Sequence, residues 1–105
     1  MNHLHPPLLA AMAAYPDGSQ IEAEDPIVSA KLFLLGGAAS WWLTEYDAIN
    51  HIAYGYVTGL ACDEWGTVSI DELAALMLGP IPRVEFDVHF QAMAFSALKA
   101  RDFRA

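Results

Sequence analysis

Apolar residues change period several times along the chain, and each change predicts a different element. From Ile27 to Leu35, Val28, Ala30, Leu32 and Leu34 alternate with Ser29, Lys31 and Phe33, the two-residue period of a strand. Gly36-Gly37-Ala38-Ala39-Ser40 interrupts that run, and the bulky residues of Trp41 to Asp47 suit a second strand, so the pair reads as a hairpin with a five-residue loop. Asp47-Ala48-Ile49-Asn50 supplies a turn into a third strand, Ile52 to Thr58. There Ile52, Tyr54 and Tyr56 share one face and Ala53, Gly55 and Val57 the other. After a connection over Gly59 to Glu64, Trp65 to Val68 is a short fourth strand.

The period then lengthens. Ser69 is a good N-cap, Glu72 stands three residues later as a capping box requires, and Asp71 suits the positive end of a helix dipole. Ile70, Leu73, Ala74, Met77 and Leu78 follow helical spacing until Gly79-Pro80, which predicts a helix over Ile70 to Leu78. Arg83 to Phe90 returns to strict alternation, a strand with one wet face. Near the start, Pro6 and Pro7 precede an Ala- and Leu-rich stretch, predicting a short helix within His5 to Tyr15. An acidic loop through Asp17, Glu22, Glu24 and Asp25 follows, and the chain from Gln91 reads as a loose or helical extension. The fold class expected is α+β: a sheet of four or five mainly antiparallel strands, the helix at about 70–78 packed on one face, and the N-terminal helix covering an edge or end.

Composition adjusts this picture. The 105 residues suffice for one domain over 1–105, and 55% hydrophobic residues oppose disorder despite a net charge of −8. Cys62 is the only cysteine, so no internal disulfide forms, and a cytoplasmic location is the expectation. The apolar stretch Leu8 to Ala14 has no Lys or Arg ahead of it, unlike an export signal. The longest apolar run, Leu32 to Leu43, falls short of the roughly 20 residues that span a bilayer, so no membrane segment is expected. Charge is unevenly placed: residues 1–98 carry twelve acidic groups against Lys31 and Arg83, while 99–105 carry Lys99, Arg101 and Arg104 against Asp102. An acidic body repels phosphate backbones, which argues against direct nucleic-acid binding, and attracts basic protein surfaces. The plainer reading of the same charge is solubility.

Candidate chemistry is sparse. Strand periodicity puts Glu45 with Asp47 on one face, and Arg83, Glu85, Asp87 and His89 on one face of another strand. Were those strands neighbours, hard oxygen ligands and an imidazole would converge, as a magnesium, calcium or manganese site or an acid–base pair requires. Polar residues at every second position are also what any half-exposed strand displays, with Arg83 close enough to pair with Glu85. Met1-Asn2-His3 is a metal candidate: a free α-amine with His3 third wraps Cu(II) or Ni(II) in a square-planar nitrogen set. His51, in a turn after Asn50, reads as solvated. Cys62 lies beside Asp63 and Glu64, whose negative charge opposes nucleophilic use of the thiol. Trp41, Trp42, Tyr46, Tyr54, Tyr56 and Trp65 form either a binding patch or the core of a small domain.

Several of these segments, in order, carry a family resemblance: Pro6-Pro7-Leu8, Ala30-Lys31-Leu32-Phe33, Trp41-Trp42-Leu43-Thr44-Glu45-Tyr46-Asp47, Tyr54-Gly55, Glu64-Trp65-Gly66, Ser69-Ile70-Asp71-Glu72-Leu73 and Ile81 to Phe90. Over roughly residues 5–97, with 98–105 as a basic tail, the chain resembles domain-of-unknown-function family 2958. The Ala-rich start, the loop Leu34 to Ser40 and Arg83 to Asp87 depart from that pattern. The resemblance implies a bacterial α+β domain encoded on plasmids and other mobile elements, near conjugation or anti-restriction genes, and brings no catalytic residues. The function expected is a small non-catalytic accessory protein without cofactor. It would bind a protein partner, a host-defence component among them, through an acidic and aromatic surface including Glu45, Asp47, Glu85, Asp87, His89, Trp41 and Tyr54. Alternatives are a metal-dependent or acid–base enzyme using the strand carboxylates and His89, and a structural or self-assembling subunit.

Overall fold

The alternation of β-branched and aromatic residues builds a five-stranded antiparallel sheet. A computed structural model describes residues 2–105. The element order is α1 (His5–Ala11), β1 (Ile27–Val28), β2 (Ala30–Leu34), β3 (Ser40–Asp47), β4 (Ile52–Thr58), β5 (Glu64–Ser69), α2 (Ile70–Ala74), β6 (Met77–Leu78), β7 (Ile81–Pro82), β8 (Val84–Phe86), β9 (Met93–Ala94) and α3 (Phe95–Ala100). The main sheet runs β5-β4-β3-β2-β8, with the small antiparallel pairs β1–β9 and β6–β7 beside it. This is the α+β architecture expected.

Each face of the sheet carries its own apolar layer. One face holds Leu32, Trp41, Leu43, Tyr46 and Ala53, against which pack Leu4, Leu8 and Met12 from in and around α1 and Ile70 and Leu73 from α2. The spacing 4, 8, 12 is a single helical stripe, so α1 lies on the sheet face instead of capping an edge. The opposite face centres on Trp42, Val28 and Leu98, joined by Tyr56, Phe90, Phe95 and Phe103. The C-terminal segment is therefore packed helix, not a loose tail. Phe103 stacks on Tyr56 at 5.4 Å, and Asp25 accepts hydrogen bonds from the Ser96 amide and hydroxyl at the start of α3.

Two elements are shorter than their sequence patterns. The Ser69 hydroxyl does accept the Glu72 amide as an N-cap, yet α2 ends at Ala74. Gly79 takes a φ of +61° and, with Pro80, forms a tight turn between β6 and β7, which forces Met77 and Leu78 into extended backbone. Helical spacing and a Gly-Pro stop thus conceal a hairpin. Likewise β8 ends at Phe86 although alternation continues to Phe90. Asp87 Oδ1 accepts the His89 amide and starts a turn, which brings the Phe90 ring within 5.9 Å of Trp42. Arg83 precedes the strand, and its guanidinium donates to the Leu35 carbonyl instead of pairing with Glu85.

Candidate functional site

The site begins with an irregularity in β3. Pairing with β4 shifts register between Leu43 and Glu45, a bulge at Thr44. A bulge moves every later side chain to the other face. Tyr46 consequently enters the core beside Leu43, and Glu45 leaves it to stand opposite Tyr54 on the face of Trp42. Without the extra residue a carboxylate would point into the apolar layer.

Glu45 is 6% exposed and accepts backbone amides from Gly18 at 2.6 Å and Gln20 at 3.1 Å. The Gln20 side chain completes the attachment: its amide nitrogen donates to the Ile27 and Thr44 carbonyls and its oxygen accepts the Ile27 amide. Together they hold the acidic loop against the open end of the bulge, which is why a buried glutamate is tolerated there. Glu45→Ala removes the partner of both amides and is expected to cost about 1.5–3 kcal/mol, the range for a hydrogen bond to a charged group. Urea denaturation measures the loss, and faster proteolysis within residues 17–26 locates it.

Between that loop and the sheet lies a groove of about 550 Å³, lined by Asp17, Ile21, Glu24, Glu45, Tyr54 and Trp65 among others, and no residue of its lining is cationic. Tyr54 and Trp65 are each 37% exposed, and their rings stack at 5.8 Å with 14° between planes. Trp65 also leans on Phe95 of α3 at 4.6 Å, so the second apolar layer braces the groove wall. A smaller cavity of about 190 Å³ lies on the other face of β4 and β5, over Trp41, Leu43, Val57, Leu60 and Val68.

The strand carboxylates do not gather at one place. β2 separates β3 from β8, and Glu85 is level with Phe33 and Ser40, five residues along β3 from Glu45. Asp47 accepts the Asn50 side chain, then the Asn50 and Ile49 amides, which lowers its pKa and closes the β3–β4 turn. Asp87 lies 3.6 Å from the Lys31 ammonium, and His89 is exposed in the turn beyond. Of the aromatic set, Trp41, Trp42 and Tyr46 are buried and Tyr54 and Trp65 face the groove. Asp17, Gln20, Glu24 and Thr67 enter the site without any sequence signal beyond loop acidity.

A family profile described as "Protein of unknown function (DUF2958)" matches residues 4–100. The chain belongs to this family. No curated protein and no solved structure matches it. The DUF2958 match runs from α1 to the end of α3, so the bulge, the groove, the first apolar layer and all of the second except Phe103 lie inside it.

A second polar cluster in this DUF2958 domain ties the N-terminal segment to the sheet. His5 Nδ1 and the Tyr46 hydroxyl share a 2.6 Å hydrogen bond, the His5 ring stacks on His51 at 4.2 Å, and His51 Nδ1 lies 2.8 Å from Asp71. Asn2 also donates to Asp71. His51, read as solvated from sequence, is a linking residue, held at a φ of +57°. The hydrogen bond from His51, followed by that from Asn2, lowers the Asp71 pKa. His3 meets the Val84 carbonyl through Nε2, and Met1 of the Met1-Asn2-His3 motif lies outside the described residues. Among the described residues no three His, Cys, Asp or Glu side chains are grouped to hold a metal ion, and no helix is long and apolar enough to cross a membrane.

Burial, helped by Asp71 and Asp47, pushes the Tyr46 pKa up from 10.0 to about 12. The neutral phenol is therefore favoured in the folded state, and its contribution is complete below pH 10 and lost as pH rises toward 12. Alkaline unfolding followed by circular dichroism is expected to be steeper over that window for the wild type than for Tyr46→Phe.

Proposed function

We propose that this chain is a non-catalytic binding protein whose groove takes a basic segment of a protein partner. The observation that carries this reading is the groove itself: two stacked, half-exposed aromatic rings beside Asp17 and Glu24, with no cation in the lining. Aromatic faces attract guanidinium and ammonium groups by about 0.5–2 kcal/mol per contact, and flanking carboxylates add charge-assisted hydrogen bonds. A net charge of −8 steers a basic partner toward the body of the protein. The role in the cell that accords with the family resemblance is that of an accessory to a bacterial mobile element, acting on a component of host defence.

A pull-down from the native host tests this. A partner is expected whose recovery falls with rising salt and drops at least tenfold with Trp65→Ala or with Asp17→Lys combined with Glu24→Lys. Recovery of no partner, or of one indifferent to salt and to both variants, contradicts the reading.

A further inference from the structure

The groove lies along an open sheet edge. β5 is the terminal strand of the main sheet, bonded to β4 over its whole length from Ile52↔Ser69 to Val57↔Glu64. Among the described residues no strand pairs with its outer side. An unpaired antiparallel edge turns alternate N–H and C=O groups outward, a template that proteins usually blunt with lysine, proline, a bulge or brevity. β5 has none of these: it is six residues long, continuous in register with β4, and reads Glu64-Trp65-Gly66-Thr67-Val68-Ser69. The opposite edge, β8, has only three residues and Pro82 just ahead of it.

The two cavities flank this edge on opposite faces. Trp65 and Thr67 line the acidic groove, while Gly66 and Val68 share the face of Leu43 and Ala53 and line the apolar cavity, whose rim also takes in Glu64, Trp65 and Thr67. A side chain at Gly66 would meet only open space, so the apolar cavity is unobstructed at the middle of the strand. Any strand laid beside β5 sends successive side chains to alternate faces, one set to carboxylates and aromatic rings, the other to an apolar hollow.

We propose that β5 is a strand-addition site for an extended partner segment in which Lys or Arg alternates with aliphatic residues. This deepens the binding function proposed above and rests on it. Main-chain hydrogen bonds to β5 supply affinity, the groove selects cations through Asp17, Glu24, Tyr54 and Trp65, and the apolar cavity selects an aliphatic side chain every second residue. A second copy of this chain fits the edge less well, because edge-to-edge pairing brings together two acidic grooves on chains of net charge −8.

The probe is a seven-residue peptide of alternating arginine and valine, acetylated and amidated, titrated calorimetrically into the full chain. Two further versions carry N-methyl groups on the arginine amides or on the valine amides. In an added strand only one set of amides faces β5, so one version is expected to bind at least tenfold more weakly and the other within about twofold of the parent. Trp65→Ala is expected to weaken the parent peptide at least tenfold. Equal binding by both methylated versions overturns strand addition while leaving the groove reading intact if Trp65→Ala still weakens the parent. No binding of the parent, or binding indifferent to Trp65→Ala, overturns both. Dimerisation in sedimentation that the peptide does not reverse assigns the edge to a second copy and overturns the proposal.

Discussion

Replacing Trp42 by alanine is expected to cost about 3–5 kcal/mol, the range for emptying a buried aromatic site. Trp42 is 1% exposed and stands at the centre of the second apolar layer, where Val28, Leu98, Phe90 and Phe103 all lean on it. Its indole donates to Thr58 Oγ1 at 2.9 Å, and the Lys31 ammonium lies 4.9 Å from its ring. Removing it takes away the surface that α3 and the turn at Asp87 both cover. Since a domain of this kind has only about 5–15 kcal/mol of total stability, the variant should sit near its unfolding threshold. Urea denaturation gives the magnitude, and hydrogen exchange should show α3 losing protection before β3 and β4. A variant with wild-type stability would mean that the second layer is not a core.

Gly55→Ala is expected to be comparably damaging for a different reason. A β-carbon on Gly55 would strike the Trp42 carbonyl and lie 2.8 Å from Leu43 Cα, both backbone atoms that cannot rotate away. The contact falls beside the bulge, where β3 passes close to the Gly55 backbone. Ordinary overpacking of a core costs about 1–3 kcal/mol, and a clash with backbone should reach or exceed the top of that range. Relief requires β3 to separate from β4, which disturbs the register that sends Tyr46 inward and Glu45 to the groove. Denaturation should therefore show the loss together with altered Trp65 fluorescence. Unchanged stability and spectrum would contradict the role given to the bulge.

The main sheet could be read from the sequence because its strands obey a period of two and are separated by turn residues, as in Lys31 to Leu34 and Ile52 to Thr58. Where two physical rules gave the same pattern, the reading went astray. Met77 and Leu78 satisfy helical spacing, yet they are exposed and extended because Gly79-Pro80 closes a hairpin. Asp87 sits in perfect alternation, but its carboxylate takes a local amide and turns the chain. The groove was only half visible. Tyr54, Glu45 and Trp65 stood out by type, while the face that Glu45 occupies depends on a bulge with no marker except Gly55 across from it. Asp17, Gln20 and Glu24 join through long-range contacts that no spacing encodes. Strand order, which keeps Glu85, Asp87 and His89 away from Glu45, was likewise beyond local pattern.

The binding surface we propose for this protein is the β5 edge with the groove beside it. Two-dimensional nitrogen–proton NMR of the labelled full chain, titrated with the alternating arginine–valine peptide, tests it most directly. The amides of residues 64–69 and of 17–24, together with the indole of Trp65, are predicted to shift, and those around His5, His51 and Asp71 to stay in place. Shifts confined to that histidine cluster, or none at saturating peptide, would contradict the account.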